Sequence, residues 1–279
     1  MPVQDASEET FVLFSDEVPS SNLGFVDSNA STIDLDVGKR SLTLTQSPGL
    51  LKSDRSTGTT GAVIWKITPL IAQWLASMPN CLGSARILHN EAVVVELGCG
   101  VSGLIGIVMA PLVSTYILTD QAYVMKTLRS NVDANVSESL ARPRRSTAQK
   151  ARAPPQPKLI PLDWETDDAS TLKHELPHGR YIDLVVVCDC VYNEYLIQPL
   201  VRTLVDVCGL AMATEKATFV LIAQQLRSAE VLEQFLDTLM LHFVVWRVPE
   251  EHLPATLQPG SGYVVHLACL KAQTNRQDH

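Results

Sequence analysis

The chain has 279 residues, 46% of them hydrophobic and 19% charged, with a formal net charge of −8. One large domain or two small ones fit this length, with ample apolar material for a core. No apolar run approaches the roughly 20 residues of a membrane span, and the acidic balance argues against a broad basic footprint for nucleic acid.

The first residues, from Met1 to Glu9, are acidic and polar, unlike a secretory signal or a basic transit peptide. Residues 1–30 are mixed and expected to be only partly ordered, with Phe11 to Phe14 a candidate anchoring strand. Ile33, Leu35 and Val37, then Leu42 and Leu44 beyond Gly38-Lys39, alternate with polar residues and predict a β-hairpin. Residues 53–61 are rich in Ser, Thr and Gly and read as loop. Ile64, Ile67, Ile71, Leu75 and Met78 recur at helical spacing, predicting a helix over residues 62–77.

Val93-Val-Val runs into Glu96 and a turn with Gly98, Gly100 and Gly103, after which residues 104–110 read as a helix. This is the Gly-x-Gly-x-x-Gly spacing of a nucleotide-binding strand–turn–helix unit. Residues 114–119 form the next predicted strand, and Asp120 ends it. Its distance from Gly98 is near the roughly 20 residues at which such a unit offers a carboxylate to ribose hydroxyls. The spacing alone does not name the ligand. A dinucleotide brings a pyrophosphate to the helix N-terminus. S-adenosylmethionine instead carries a sulfonium and an ammonium, which acidic residues around the turn suit.

A helix is predicted over residues 121–135. Residues 141–157 hold four prolines and five basic side chains and are expected to form an exposed, disordered insertion. Residues 158–162 read as a short strand, and 181–188 as a strand buried on both faces. Helices over 196–210 and 228–241 flank a strand over 218–223, and strands over 243–248 and 262–270 close the chain as an antiparallel pair. The alternation predicts an α/β fold, a doubly wound seven-stranded Rossmann-like sheet with an N-terminal hairpin extension. Its expected parts are 1–60 as the extension, 61–272 as the main domain and 273–279 as a polar tail.

Six cysteines in a chain this long do not suggest a disulfide framework. They sit mostly in or beside apolar segments, where cysteine acts as a small hydrophobe, and a reducing cytoplasm or the nucleus is the expected compartment. Cys188 and Cys190 lack a second pair at ligand spacing, so no metal site is expected. None of the seven histidines sits in a motif.

Trp65, the Val93–Gly100 motif, Thr119-Asp-Gln121, Asn131 and Asn135, Asp163-Trp-Glu165 and the run from Asp183 to Tyr192 resemble family 16 of the class I methyltransferases, most of whose characterised members methylate protein lysines. The resemblance covers roughly residues 60–270, and Asp189-Cys-Val-Tyr192 is its most specific mark. Hairpin, Thr-Asp-Gln and insertion look most like a fungal branch that modifies a large-subunit ribosomal protein.

The resemblance implies S-adenosylmethionine as cofactor, bound by Trp65, Glu96, Gly98, Cys99, Gly100, Asp120, Gln121, Trp164 and Cys188. It implies Asp189 and Tyr192 as the residues at the reacting lysine, Asp189 to orient the amine and Tyr192 to wall its channel. A protein substrate, no membrane, no direct nucleic-acid binding and a monomer are expected. Each residue also has a plainer reading: glycines for a tight turn, Asp120 as a helix cap, the tryptophans as core aromatics. Methylation of a nucleic acid or small molecule stays open, although Cys190 and Val191 stand where nucleic-acid amino-methylating enzymes often carry Pro-Pro. A non-catalytic adaptor and a dinucleotide oxidoreductase are the remaining alternatives.

Overall fold

A computed structural model of the protein describes residues 1–15, 18–19, 23–51, 59–141, 156–210 and 216–272. In chain order its helices and strands are α1 (Ala6–Ser15), β1 (Thr32–Val37), β2 (Arg40–Thr45), α2 (Pro48–Leu51), α3 (Ile67–Ala76), α4 (Cys81–Ser84), β3 (Val93–Leu97), α5 (Leu104–Met109), β4 (Thr115–Asp120), α6 (Met125–Ala141), β5 (Lys158–Pro161), β6 (Leu184–Cys188), α7 (Ile197–Gly209), β7 (Phe219–Gln225), α8 (Ala229–His242), β8 (Phe243–Arg247) and β9 (Tyr263–Leu270). Residues 142–155 of the expected insertion and the tail 273–279 lie outside the described residues. No helix among the described residues is long and apolar enough to cross a membrane.

The sheet has seven strands in the order β5-β4-β3-β6-β7-β9-β8, as the alternation predicts. Six strands point the same way, five of them as parallel neighbours, and β9 runs antiparallel to both β7 and β8. Central strands read as unbroken apolar runs because both faces are covered. Val94, Leu184, Val186 and Leu221 face one core with α3, α5 and α6, while Val93, Val95, Val185 and Val187 face a second with α7 and α8.

The hairpin β1–β2 turns at Gly38-Lys39, both at positive φ, the backbone of a tight two-residue turn. Its outer edge is covered by side chains of α6. Asn135 exchanges two hydrogen bonds with the backbone of Thr43, and Asn131 two with Thr45. Each amide acts as one rung of a missing strand and removes an open edge.

Three sequence expectations are corrected. Phe11 to Phe14 is helix, not strand: Asp5 accepts the Glu8 amide at 2.8 Å and caps α1. The helix is anchored on the sheet, where Val3 bonds β8 and Glu9 pairs with His266 and Arg247. The helix expected over 62–77 begins only at Ile67, because the amides of Ala62, Ile64 and Lys66 bond Thr59, Gln46 and Gly24 instead. Trp65 therefore lies on an extended segment bridged to Phe25. The helix expected from residue 121 starts at Met125, after a turn in which Gln121 accepts the Val124 amide.

Candidate active site

β3 has β4 on one side and β6 on the other, so the chain winds in opposite directions from it. Open α/β sheets form a crevice beyond the strand ends at such a switch point. One cleft there is lined by Trp65, Glu96, Gly98, Cys99, Gly100, Asp120, Gln121, Trp164, Cys188, Asp189 and Tyr192. All the residues singled out from the sequence thus meet in one place, together with Thr60, Gly61, Thr68 and Tyr123, which sequence reasoning missed.

The glycine turn is built by the protein's own packing. Gly98 has φ 71°, and a Cβ there would stand 2.7 Å from Cys190 Sγ and 3.0 Å from the Trp164 ring. The turn's amides are also spoken for. Those of Gly98 and Cys99 bond the Thr119 carbonyl, that of Gly100 bonds Asp120 Oδ2 at 2.8 Å, and that of Val101 bonds the Gly61 carbonyl. A pyrophosphate would find none of these four N–H groups free.

Asp120 also accepts the Gln121 amide at 2.7 Å. Burial pushes its carboxyl up to about 6. Its two oxygens retain lone pairs towards the cleft, suited to hydroxyl donors such as a vicinal diol. Glu96 is 1% exposed and receives the Tyr116 hydroxyl at 2.8 Å. Burial, the largest influence, pushes it up to about 8, so at neutral pH it is mostly protonated. A cation beside it would draw the proton off.

Gln121 donates to Asp163 Oδ2 at 2.9 Å and ties the end of β4 to the loop bearing Trp164. The Trp164 ring covers Gly98, and its Nε1 is buried without a hydrogen-bond partner among the described residues. Trp65 Nε1 donates to the Thr60 carbonyl, and its ring packs on Phe25 at 4.3 Å. Burial raises the thiols of Cys99, Cys188 and Cys190 well above the ordinary range, which keeps them neutral. Among the described residues, no group of three or more His, Cys, Asp or Glu side chains could hold a metal ion.

Asp189 ends β6 at φ 60°, a conformation that aspartate tolerates better than most residues. Its carboxylate accepts hydrogen bonds at both oxygens. Arg227 donates to both oxygens, at 2.7 and 2.5 Å, while Gln224 Nε2 and the Gln225 amide donate to Oδ1. These partners are absent from the sequence candidates. Their signal was Gln-Gln-Leu-Arg, a polar cluster directly after the apolar run of β7. Tyr192 is half-buried, hydrogen-bonded to Thr60, and raised by burial.

The profile of a family described as lysine methyltransferase matches residues 45–241. Among similar proteins, the ribosomal lysine N-methyltransferase 5 of Eremothecium gossypii is 30% identical over 79% of this chain and 82% of that one. The protein of the same name from Lachancea thermotolerans is 27% identical over 68% of this chain and 70% of that one. A diaminohydroxyphosphoribosylamino-pyrimidine deaminase of Schizosaccharomyces pombe is 29% identical over 91% of this chain, which spans only 56% of that relative. A solved magnesium protoporphyrin IX methyltransferase of Synechocystis, with bound S-adenosylhomocysteine, is similar at 15% identity and a TM-score of 0.43, over 72% of this chain and 80% of that one.

Proposed function

Since this chain belongs to the lysine methyltransferase family, we propose that it methylates a lysine of a ribosomal protein with S-adenosylmethionine. The observation that carries the choice of cofactor is the glycine turn. Its amides at 98–101 are occupied and two carboxylates stand beside it. That suits a cationic ligand with a ribose and not a pyrophosphate.

In this reading Asp120 accepts the ribose hydroxyls and Trp164 lies against the adenine. Glu96 faces the cationic end of the cofactor. Gly98, Cys99 and Gly100 form the floor, and Gln121, Trp65 and Cys188 line the walls. When bound, S-adenosylmethionine supplies the methyl group, its C–S bond breaking towards the thioether as the lysine lone pair forms the C–N bond. The protein's own work is positioning and the exclusion of water. A free lysine has a pKa of about 10.4 and must arrive unprotonated. Exclusion of water around the amine favours that by disfavouring the ammonium. Tyr192 walls the lysine channel and Asp189 stands at its end.

The substrate class follows the relatives named above and the net charge of −8, which complements a basic protein. A cytoplasmic monomer completes the proposal. The test is transfer of labelled methyl groups to ribosomal proteins from cells lacking this enzyme, followed by mass spectrometry. The expected product is a methylated lysine in a large-subunit protein, with label resistant to nuclease. Label that nuclease removes, or none, would overturn the proposal.

A further inference from the structure

We infer that Arg227 is a positioning residue for the substrate amine, pairing with Asp189 so that no bare carboxylate meets the incoming lysine. The inference rests on the lysine-methylating reading above and concerns how the amine is kept neutral.

The Asp189 side chain is 1% exposed, and four donors converge on its two oxygens, two of them from the Arg227 fork. An ammonium arriving here meets a buried carboxylate already held in a bidentate pair, the strongest geometry such a pair has. Arg227 is held from other sides as well. Its guanidinium lies 4.6 Å over the Trp65 ring, and Gln225 Oε1 accepts from it at 3.1 Å. The same oxygen accepts the Gly24 amide, which ties the pair to the segment that packs Phe25 on Trp65.

The electrostatics decide the role. A bare carboxylate about 5 Å from the amine would favour the ammonium by roughly two pKa units at an effective dielectric of about 20. That opposes attack. Pairing with Arg227 reduces the site to a local dipole whose field falls off faster.

The other groups facing Asp189 carry no positive charge that could replace the guanidinium. Burial pushes the Tyr263 hydroxyl of β9 up to about 12, and the thiols of Cys188 and Cys190 also stay protonated. Tyr192 is raised as well, whereas Asp120, up to about 6, is ionised at pH 7.5 and Glu96, up to about 8, ionises within the tested pH range, and both act alike in wild type and variants. Removing Arg227 would therefore leave the channel end negative.

The experiment measures single-turnover rates from pH 6 to 10, at saturating cofactor, with unmethylated ribosomal proteins as the probe. At saturation the acid limb reports the amine in the complex. In Arg227→Gln that limb should move up by about one unit or more, so the rate at pH 7.5 falls about tenfold and recovers near pH 9.5. Arg227→Lys, which keeps the charge, should keep the wild-type limb, and Asp189→Asn/Arg227→Gln should return towards it. Calorimetry should find cofactor affinity unchanged in each. Should Arg227→Gln not fold, Asp189→Asn alone decides, because an unopposed guanidinium must move the limb down. Equal losses at every pH, with the limb unmoved, would overturn the inference while leaving the lysine reading intact. A wild type that methylates no lysine would overturn both.

Discussion

Glu96 should make the folded protein less stable as the pH rises through neutrality. In the folded state burial lifts its carboxyl from the ordinary 4.5 to about 8, whereas an unfolded chain gives up that proton near 4.5. Between these values the folded state holds more protons, so stability is full below about 4.5 and is lost as the pH climbs through about 8. The whole window is worth on the order of 4–5 kcal/mol at about 1.36 kcal/mol per unit. Asp120, raised from 3.8 to about 6, has the same sign but a lower window.

The interval from pH 6 to pH 8 therefore reports mainly Glu96, where the wild type should lose roughly 2–3 kcal/mol. Glu96→Gln keeps an acceptor for the Tyr116 hydroxyl and removes its titration, so its stability should fall far less over that interval, by the small remainder due to Asp120. Urea denaturation at pH 6, 7 and 8 measures both. Parallel losses in the two proteins would refute a buried, protonated Glu96. The same chemistry predicts that S-adenosylmethionine binding at pH 7 releases up to one proton in the wild type and less in Glu96→Gln, read by calorimetry in buffers of different ionisation enthalpy.

Asn135→Ala should destabilise the protein by about 2–3 kcal/mol, since it strips both backbone partners from Thr43. Denaturation measures this, and unchanged cofactor affinity would separate the hairpin clamp from the site. Asp120→Ala should weaken S-adenosylhomocysteine about ten- to a hundredfold, the worth of one charged hydrogen bond at roughly 1.5–3 kcal/mol. Wild-type affinity should also fall as the pH drops below about 6, where the carboxyl takes up its proton; equal affinities would exclude Asp120 as the ribose acceptor.

The strands and the glycine turn were legible because their causes are local. The apolar run of β3 is buried on both faces, and Gly98 sits where positive φ and its close neighbours leave no room for a side chain. Asp120 and Asp189 follow such runs directly, so a reading of strand ends finds them at the carboxyl edge of the sheet. Element type was less secure where a short apolar run fits either period. Phe11 to Phe14 is helical because Asp5 caps it and the helix packs on α8. Trp65 left its expected helix because Gln46 and Gly24 take the neighbouring amides.

Tertiary structure alone decided what those residues do. Arg227 lies 38 positions from Asp189, and Asn135 lies 92 from Thr43. Pairings between distant positions leave no mark in local periodicity. The protonation of Glu96 depends on how many atoms surround it, which exists only once both cores have closed over the sheet. A sequence states which groups are available, but charge state and partner are set by distance and solvent exclusion, and those belong to the folded chain.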